Sequence, residues 1–260
     1  MTGAMSGGTI PAQELLVPVG SGQGPLHSVL LHPAGGGLSP YLGVASMLGR
    51  LGPVHGIRAS GLMKGEQPDD SVEVMAAKYR ALLDSLERPP DLLFGWSLGG
   101  VLAFELAARA LDANRPRVVM LDSPAVPTSS AEELKLQCER MVESAGPLLG
   151  GIDRTLVAET TGAHLRALLT HRPRSEYDGS VLLITCDDED NTEHVRRWKS
   201  LSPSLRERAV PGNHFEALTE PYLSVVLEHL GEFLTDTRSS DDAPGTPSCP
   251  RATQQPTEYS

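Results

Sequence analysis

A chain of 260 residues, 40% apolar and 21% charged, is long enough to bury a full core and is not low in complexity, so one domain is the default reading. Its formal charge of −11, with 33 acidic side chains against 22 Lys and Arg, argues against general affinity for nucleic acid or anionic membranes, which reward clustered cations. No stretch approaches the ~18–20 apolar residues of a membrane span, and the opening MTGAMSGGTIPAQ lacks the basic and apolar parts of a secretory signal. A cytoplasmic protein is expected. Cys138, Cys186 and Cys249 are widely spaced and form no C-x-x-C pair, so neither a disulfide framework nor a zinc site is predicted.

Taken in chain order, residues 1–13 are rich in Gly and Ser and are expected to be a flexible N-terminus, ahead of a body at 14–234. Within that body, short apolar runs predict strands at Ser28–His32, Val54–Ala59, Asp91–Trp96, Arg117–Leu121, Ser180–Cys186 and Arg206–Val210. Several are apolar throughout, as strands covered on both faces should be. Between the second and third, Val72, Met75, Ala76, Tyr79, Leu82, Leu83 and Leu86 recur at helical spacing behind a capping Ser71. Val101–Leu111 continues the alternation as a helix. From 127 to 178 the pattern turns helical, with Glu132–Val142 and Leu156–Leu169 as candidates, and reads as a lid inserted above the sheet. The last helix starts at Pro221 and buries Leu223, Val226, Leu227, Leu230 and Phe233. Residues 235–260 have almost nothing apolar to bury and are expected to be a disordered tail. Strands alternating with helices predict an α/β fold, with helices on both faces of a mostly parallel central sheet.

The strongest local motif is Gly95-Trp96-Ser97-Leu98-Gly99-Gly100, placed between a predicted strand and a predicted helix. A G-x-S-x-G at that junction is a nucleophile elbow, which presents the Ser97 hydroxyl at a helix N-terminus. Among eight histidines, His214 in VPGNHF follows the last strand and precedes the last helix, where a loop can carry an imidazole over the carboxyl edge of the sheet as a base. Two places offer the acid that would orient it: Asp122, alone after an apolar strand, and Asp187, Asp188 and Asp190 after the next strand. An oxyanion needs donors, and the N–H of Leu98, after the nucleophile, and of Ala34, in HPAGGG, are the candidates. No phosphate-loop motif competes with this reading. His32 is read as packing near that turn, His55 as a strand residue, His164 and His171 as part of the lid, and Trp96 as core or pocket wall. Arg166, Arg172, Arg174, Arg196 and Arg197 offer cations for a partner or a solvated surface.

HPAGGG at 32–37, VHGIRASGL at 54–62, SVEVMAAKYRALL at 71–83, LLFGWSLGGVLAFELA at 92–107, MLDSPAV at 120–126 and VPGNHFEAL at 210–218 stand in the order and spacing of a known family. Together they resemble the thioesterase domains of nonribosomal peptide and polyketide synthases, members of the α/β-hydrolase superfamily. The resemblance implies Ser97 as nucleophile, His214 as base and Asp122 as acid, with Ala34 and Leu98 as oxyanion donors. It implies an acyl or peptidyl thioester substrate delivered on the phosphopantetheine arm of a carrier protein, released by hydrolysis or macrocyclisation, with no metal and no cofactor. The position of Asp122 favours the chain-terminating type. An editing type II thioesterase, with Asp188 or Asp190 as its acid, and a generic carboxylesterase are the alternatives. A partner that is itself acidic, as such carriers are, would dock on a local apolar or arginine-lined patch near the lid.

Overall fold

The computed structural model describes residues 15–110, 115–126, 136, 139–140, 153–187 and 190–236. Its strands are β1 (Leu16–Ser21), β2 (Ser28–Leu31), β3 (Pro53–Ile57), β4 (Leu92–Trp96), β5 (Arg117–Leu121), β6 (Val181–Cys186) and β7 (Arg206–Val210). They form one seven-stranded sheet in the order β1-β3-β2-β4-β5-β6-β7. β1 runs antiparallel to β3, and every other pair is parallel. All residues of β2, β4 and β6 are buried, which is why those segments are apolar without alternation.

Helices α1 (Leu42–Leu48), α2 (Val72–Asp84), α3 (Leu98–Ala108), α4 (Arg154–Thr170), α5 (Thr192–Leu201) and α6 (Tyr222–Thr235) cover the two faces. On one face, Met75 and Tyr79 of α2, Phe104 of α3, Leu165 of α4 and Trp198 of α5 pack on Leu31, Leu93, Met120 and Leu183. On the other, Val44 and Leu48 of α1 and Val226, Leu230 and Phe233 of α6 pack on Leu30, Phe94, Val119 and Ile184. Ser71 caps α2 by accepting the Val74 N–H, as its sequence predicts.

Three elements escape the sequence reading. β1 carries Pro18 and a bulge between Pro18 and Gly20, which an edge strand tolerates, and the proline interrupts its short apolar run so that it does not read as a strand. α1 spans less than two full turns. α5 buries only Val195, Trp198 and Leu201 beneath a charged exterior. Boundaries also move: α3 begins at Leu98, three residues ahead of the predicted start, because the elbow turns directly into helix. α6 carries the chain through Thr235, so the body extends slightly past 234, and Asp236 pairs with Arg206 at 2.7 Å. The candidate helix Glu132–Val142 lies almost wholly outside the described residues, as do 1–13 and the rest of the 235–260 tail. No helix among the described residues is long and apolar enough to cross a membrane.

Candidate active site

Strand register assembles the site. Leu31 of β2 lies opposite Gly95 of β4, Trp96 opposite Leu121 of β5, and Leu121 opposite Ile184 of β6, so the residues that follow these strands emerge along one carboxyl edge. Ser97 stands there between β4 and α3, with φ 58° and ψ −122°, in a backbone region that L-residues seldom occupy. Its N–H donates to the Leu121 carbonyl at 2.8 Å, which ties the turn to β5. The crossing is too tight for side chains on its flanks. A Cβ on Gly95 would collide with the Gly99 backbone, and one on Gly99 with the Leu31 carbonyl oxygen. Tyr41, which no sequence motif points out, sits in the same crossing: its hydroxyl donates to the Leu31 carbonyl at 2.7 Å and accepts the Trp96 N–H at 2.9 Å.

Asp122, the next residue after β5, also has positive φ, at 44°. Its N–H donates to the Ile184 carbonyl at 2.7 Å, and its Oδ1 accepts the Cys186 N–H at 3.0 Å. Its Oδ2 lies 2.6 Å from His214 Nδ1, so that ring nitrogen is the donor and Nε2 is the nitrogen without a proton. Burial raises the Asp122 carboxyl, but the His214 and Cys186 bonds outweigh it and hold the group below the ordinary carboxylate value. His214 is carried by the loop after β7, which Asn213 shapes by accepting the N–H groups of Phe215 at 3.0 Å and Glu216 at 3.1 Å. The indole of Trp96, 5.1 Å from the imidazole centre, backs it from the core.

The other acids stand apart. Asp187 is exposed, Asp190 spends its carboxylate on the Thr192 N–H at 3.0 Å, and Asp188 lies outside the described residues. Leu98 is the first residue of α3, where an N–H has no intrahelical acceptor, and Ala34 is fully buried in the turn after β2. These are the positions proposed for oxyanion donors. His32 is buried beneath that turn, and His55 bonds His27 at 2.9 Å on β3. Of the predicted lid, the described part is mostly α4. It packs Val157 against Ala59 and Leu62 and places His164 and His171 in buried positions. Arg166, Arg172, Arg174 and Arg196 are exposed, while Arg197 is half-buried and donates to the Pro173 carbonyl.

A model of the thioesterase domain family matches residues 28–234. A protein of Fusarium pseudograminearum named thioesterase is 32% identical over 183 residues, 68% of this chain and 69% of that one. The nonribosomal peptide synthetase btyA of Aspergillus terreus is 32% identical over 146 residues, 54% of this chain but only 15% of that synthetase. Among solved structures, the Vlm2 thioesterase domain bound with a dodecadepsipeptide superposes with a TM-score of 0.70 at 22% identity, over 85% of this chain and 98% of that domain, and so shares the fold. The parallel sheet with its elbow is the α/β-hydrolase fold, and the chain belongs to the thioesterase domain family.

Proposed function

We propose that the protein is a serine thioesterase of natural-product biosynthesis, releasing an acyl or peptidyl chain from the phosphopantetheine arm of a carrier protein. His214 Nε2 takes the Ser97 hydroxyl proton as Oγ attacks the thioester carbonyl, and the N–H groups of Leu98 and Ala34 receive the developing oxyanion. Collapse breaks the C–S bond, and His214 returns the proton to the departing thiolate. Water, or an amine or hydroxyl of the chain itself, then attacks acyl-Ser97 and gives its proton to His214; the acyl–Oγ bond breaks, His214 passes that proton to Ser97 Oγ, and an acid or a ring leaves as product. Asp122 holds the imidazole in the required tautomer and stabilises its charged form. The single observation that carries this reading is the 2.6 Å bond between Asp122 and His214 behind a strained serine elbow. An acid placed after β5 also supports the chain-terminating role over the editing one.

Two measurements test it. Intact mass spectrometry after mixing with an acyl-pantetheine thioester is expected to show an adduct that Ser97→Ala abolishes; turnover that survives in the alanine variant sinks the mechanism. Asp122→Asn is expected to lower kcat by about 10⁴-fold with KM little changed, while Asp190→Asn stays within about twofold of wild type. The reverse ranking moves the chain to the editing class. Equal kcat/KM for a matched oxygen ester moves it to the carboxylesterases.

A further inference from the structure

Beneath the Pro33–Ala34 turn lie two buried imidazoles that the acyl-transfer steps do not use. His32 Nδ1 is 2.8 Å from the Pro33 carbonyl and its Nε2 is 2.6 Å from the Tyr79 hydroxyl. A carbonyl only accepts, so Nδ1 carries the proton and Nε2 accepts from Tyr79. His164, fully buried on α4, places Nδ1 2.7 Å from the Ala34 carbonyl and must donate there by the same logic. The two rings stack with centres 5.0 Å apart and planes 21° apart. Burial pushes His32 down to about 3 and His164 to about 4, so both are neutral single donors at neutral pH.

Consecutive carbonyls of the turn are therefore clamped. The Pro33 carbonyl also accepts the Gly36 N–H at 2.8 Å. In a trans peptide the C=O and N–H point in opposite directions, so holding the Pro33 carbonyl aims the Ala34 N–H away from it. Holding the Ala34 carbonyl removes the remaining freedom on the other side of that residue, next to the glycines at 35–37. The two clamps differ in origin. His32 belongs to the turn itself, whereas His164 reaches in from α4, 130 residues along the chain and part of the segment between β5 and β6. The His164 Nε2 is buried without a partner among the described residues, so the ring is held by its bond to the Ala34 carbonyl and its stack on His32.

We infer that His164 is a positioning residue through which α4 sets the oxyanion donor: when α4 is seated, the His164 bond to the Ala34 carbonyl fixes the peptide plane after Ala34, and with the plane before it fixed at the Pro33 carbonyl, Ala34 is locked with its N–H in the working direction. This rests on the reading of Ala34 as an oxyanion donor. The site is then complete only with α4 in place, and displacement of α4 would idle it without touching Ser97, Asp122 or His214.

The test uses the full chain and an acyl N-acetylcysteamine thioester. Removing the donor with His164→Leu is expected to lower kcat by ~10–100-fold with KM within about twofold, as for an oxyanion donor turned away. His164→Asn, whose amide nitrogen falls where Nδ1 does, should recover most of that loss, and His164→Gln, whose donor reaches the Nε2 position, should not. Should the leucine variant fail to fold, the Asn and Gln pair carries the comparison. Replacing Ala34 with lactic acid exchanges its N–H for an ester oxygen. That change should slow turnover comparably, and adding His164→Leu should slow it no further. Wild-type kcat in His164→Leu beside a slow lactate chain overturns the inference and leaves Ala34 as a donor. Equal loss in the Asn and Leu variants, or multiplicative losses in the double variant, also overturns it. Wild-type kcat in the lactate chain overturns the Ala34 reading and the inference with it.

Discussion

At the scale of single residues the site is built on strain. Ser97 at φ 58° occupies backbone space that costs an L-residue about 1–3 kcal/mol and that glycine enters freely. The crossing of β4, α3 and the end of β2 leaves it no alternative. Ser97→Gly is therefore expected to be inactive yet more stable than the equally inactive Ser97→Ala. After about 0.5–1 kcal/mol is deducted for glycine's looser unfolded chain, roughly 1 kcal/mol remains, or about 2–4 °C in Tm. Calorimetry on the two variants decides it, and equal or reversed melting temperatures would show that the turn is unstrained. Ser97 and His214 stand out in the sequence because each follows a strand, in the order that the elbow motif anticipates, whereas Asp122 shares its claim with the acids after the next strand. Tyr41, Asn213 and His164 do not stand out. Tyr41 and His164 act by bonding backbone brought near only by folding, and Asn213 does so within a loop whose shape no motif reports.

At the scale of elements, α4 is fastened at two points. Its middle reaches the turn after β2 through His164, and its C-terminal cap, His171, sits between the Glu73 carboxylate of α2 at 2.8 Å and the Glu105 carboxylate of α3 at 3.1 Å. Arg109 pairs with Glu105 at 2.8 Å, and the exposed Arg172 and Arg174 rim the adjoining 270 Å³ cavity. Burial lowers His171, but the two carboxylates outweigh it and raise the imidazole above its ordinary 6.5. Burial likewise raises Glu73, yet the His171 bond brings that carboxyl down to about 2. The signs fix the window. A raised histidine stabilises fully below its unfolded value and loses that contribution as pH rises through the folded one. A depressed carboxylate stabilises above its unfolded value and loses its contribution as pH falls. The Tm advantage of wild type over His171→Gln should thus be greatest between the ordinary values of 4.5 and 6.5 and shrink at alkaline pH. Thermal melts across that range check it, and a difference that grows with pH contradicts the clamp.

At the scale of the whole molecule, the parallel order β3-β2-β4-β5-β6-β7 brings Ala34, Ser97, Asp122 and His214 to one edge although the chain spreads them over most of its length. The chain as a whole carries a formal charge of −11, which repels other acidic macromolecules at low ionic strength. If carriers deliver the substrate, kcat/KM for a carrier-bound acyl chain should rise about twofold or more between about 50 and 300 mM NaCl, as screening weakens the repulsion. The same acyl group on free pantetheine should show no such dependence. A fall with salt for the carrier-bound chain alone would instead reveal attraction to a cationic patch, for which Arg166, Arg172, Arg174 and Arg196 are the exposed candidates.

The sequence by itself determined the layered α/β architecture, since strands buried on both faces must be apolar throughout and amphipathic helices must cover them. It also determined the elbow, because Gly95 and Gly99 stand where a Cβ would strike backbone. Which carboxylate lies against His214 the sequence leaves open between two strand ends, and only the tertiary structure decides that contact: Asp122 meets the imidazole at 2.6 Å while Asp190 turns to Thr192. The reason is register. A side chain's neighbours across a parallel sheet depend on how far each strand advances past the next, a quantity that no local pattern of residues encodes. The bond from His164 of α4 to the Ala34 carbonyl belongs to the same class, a contact between residues 130 positions apart that only folding brings together.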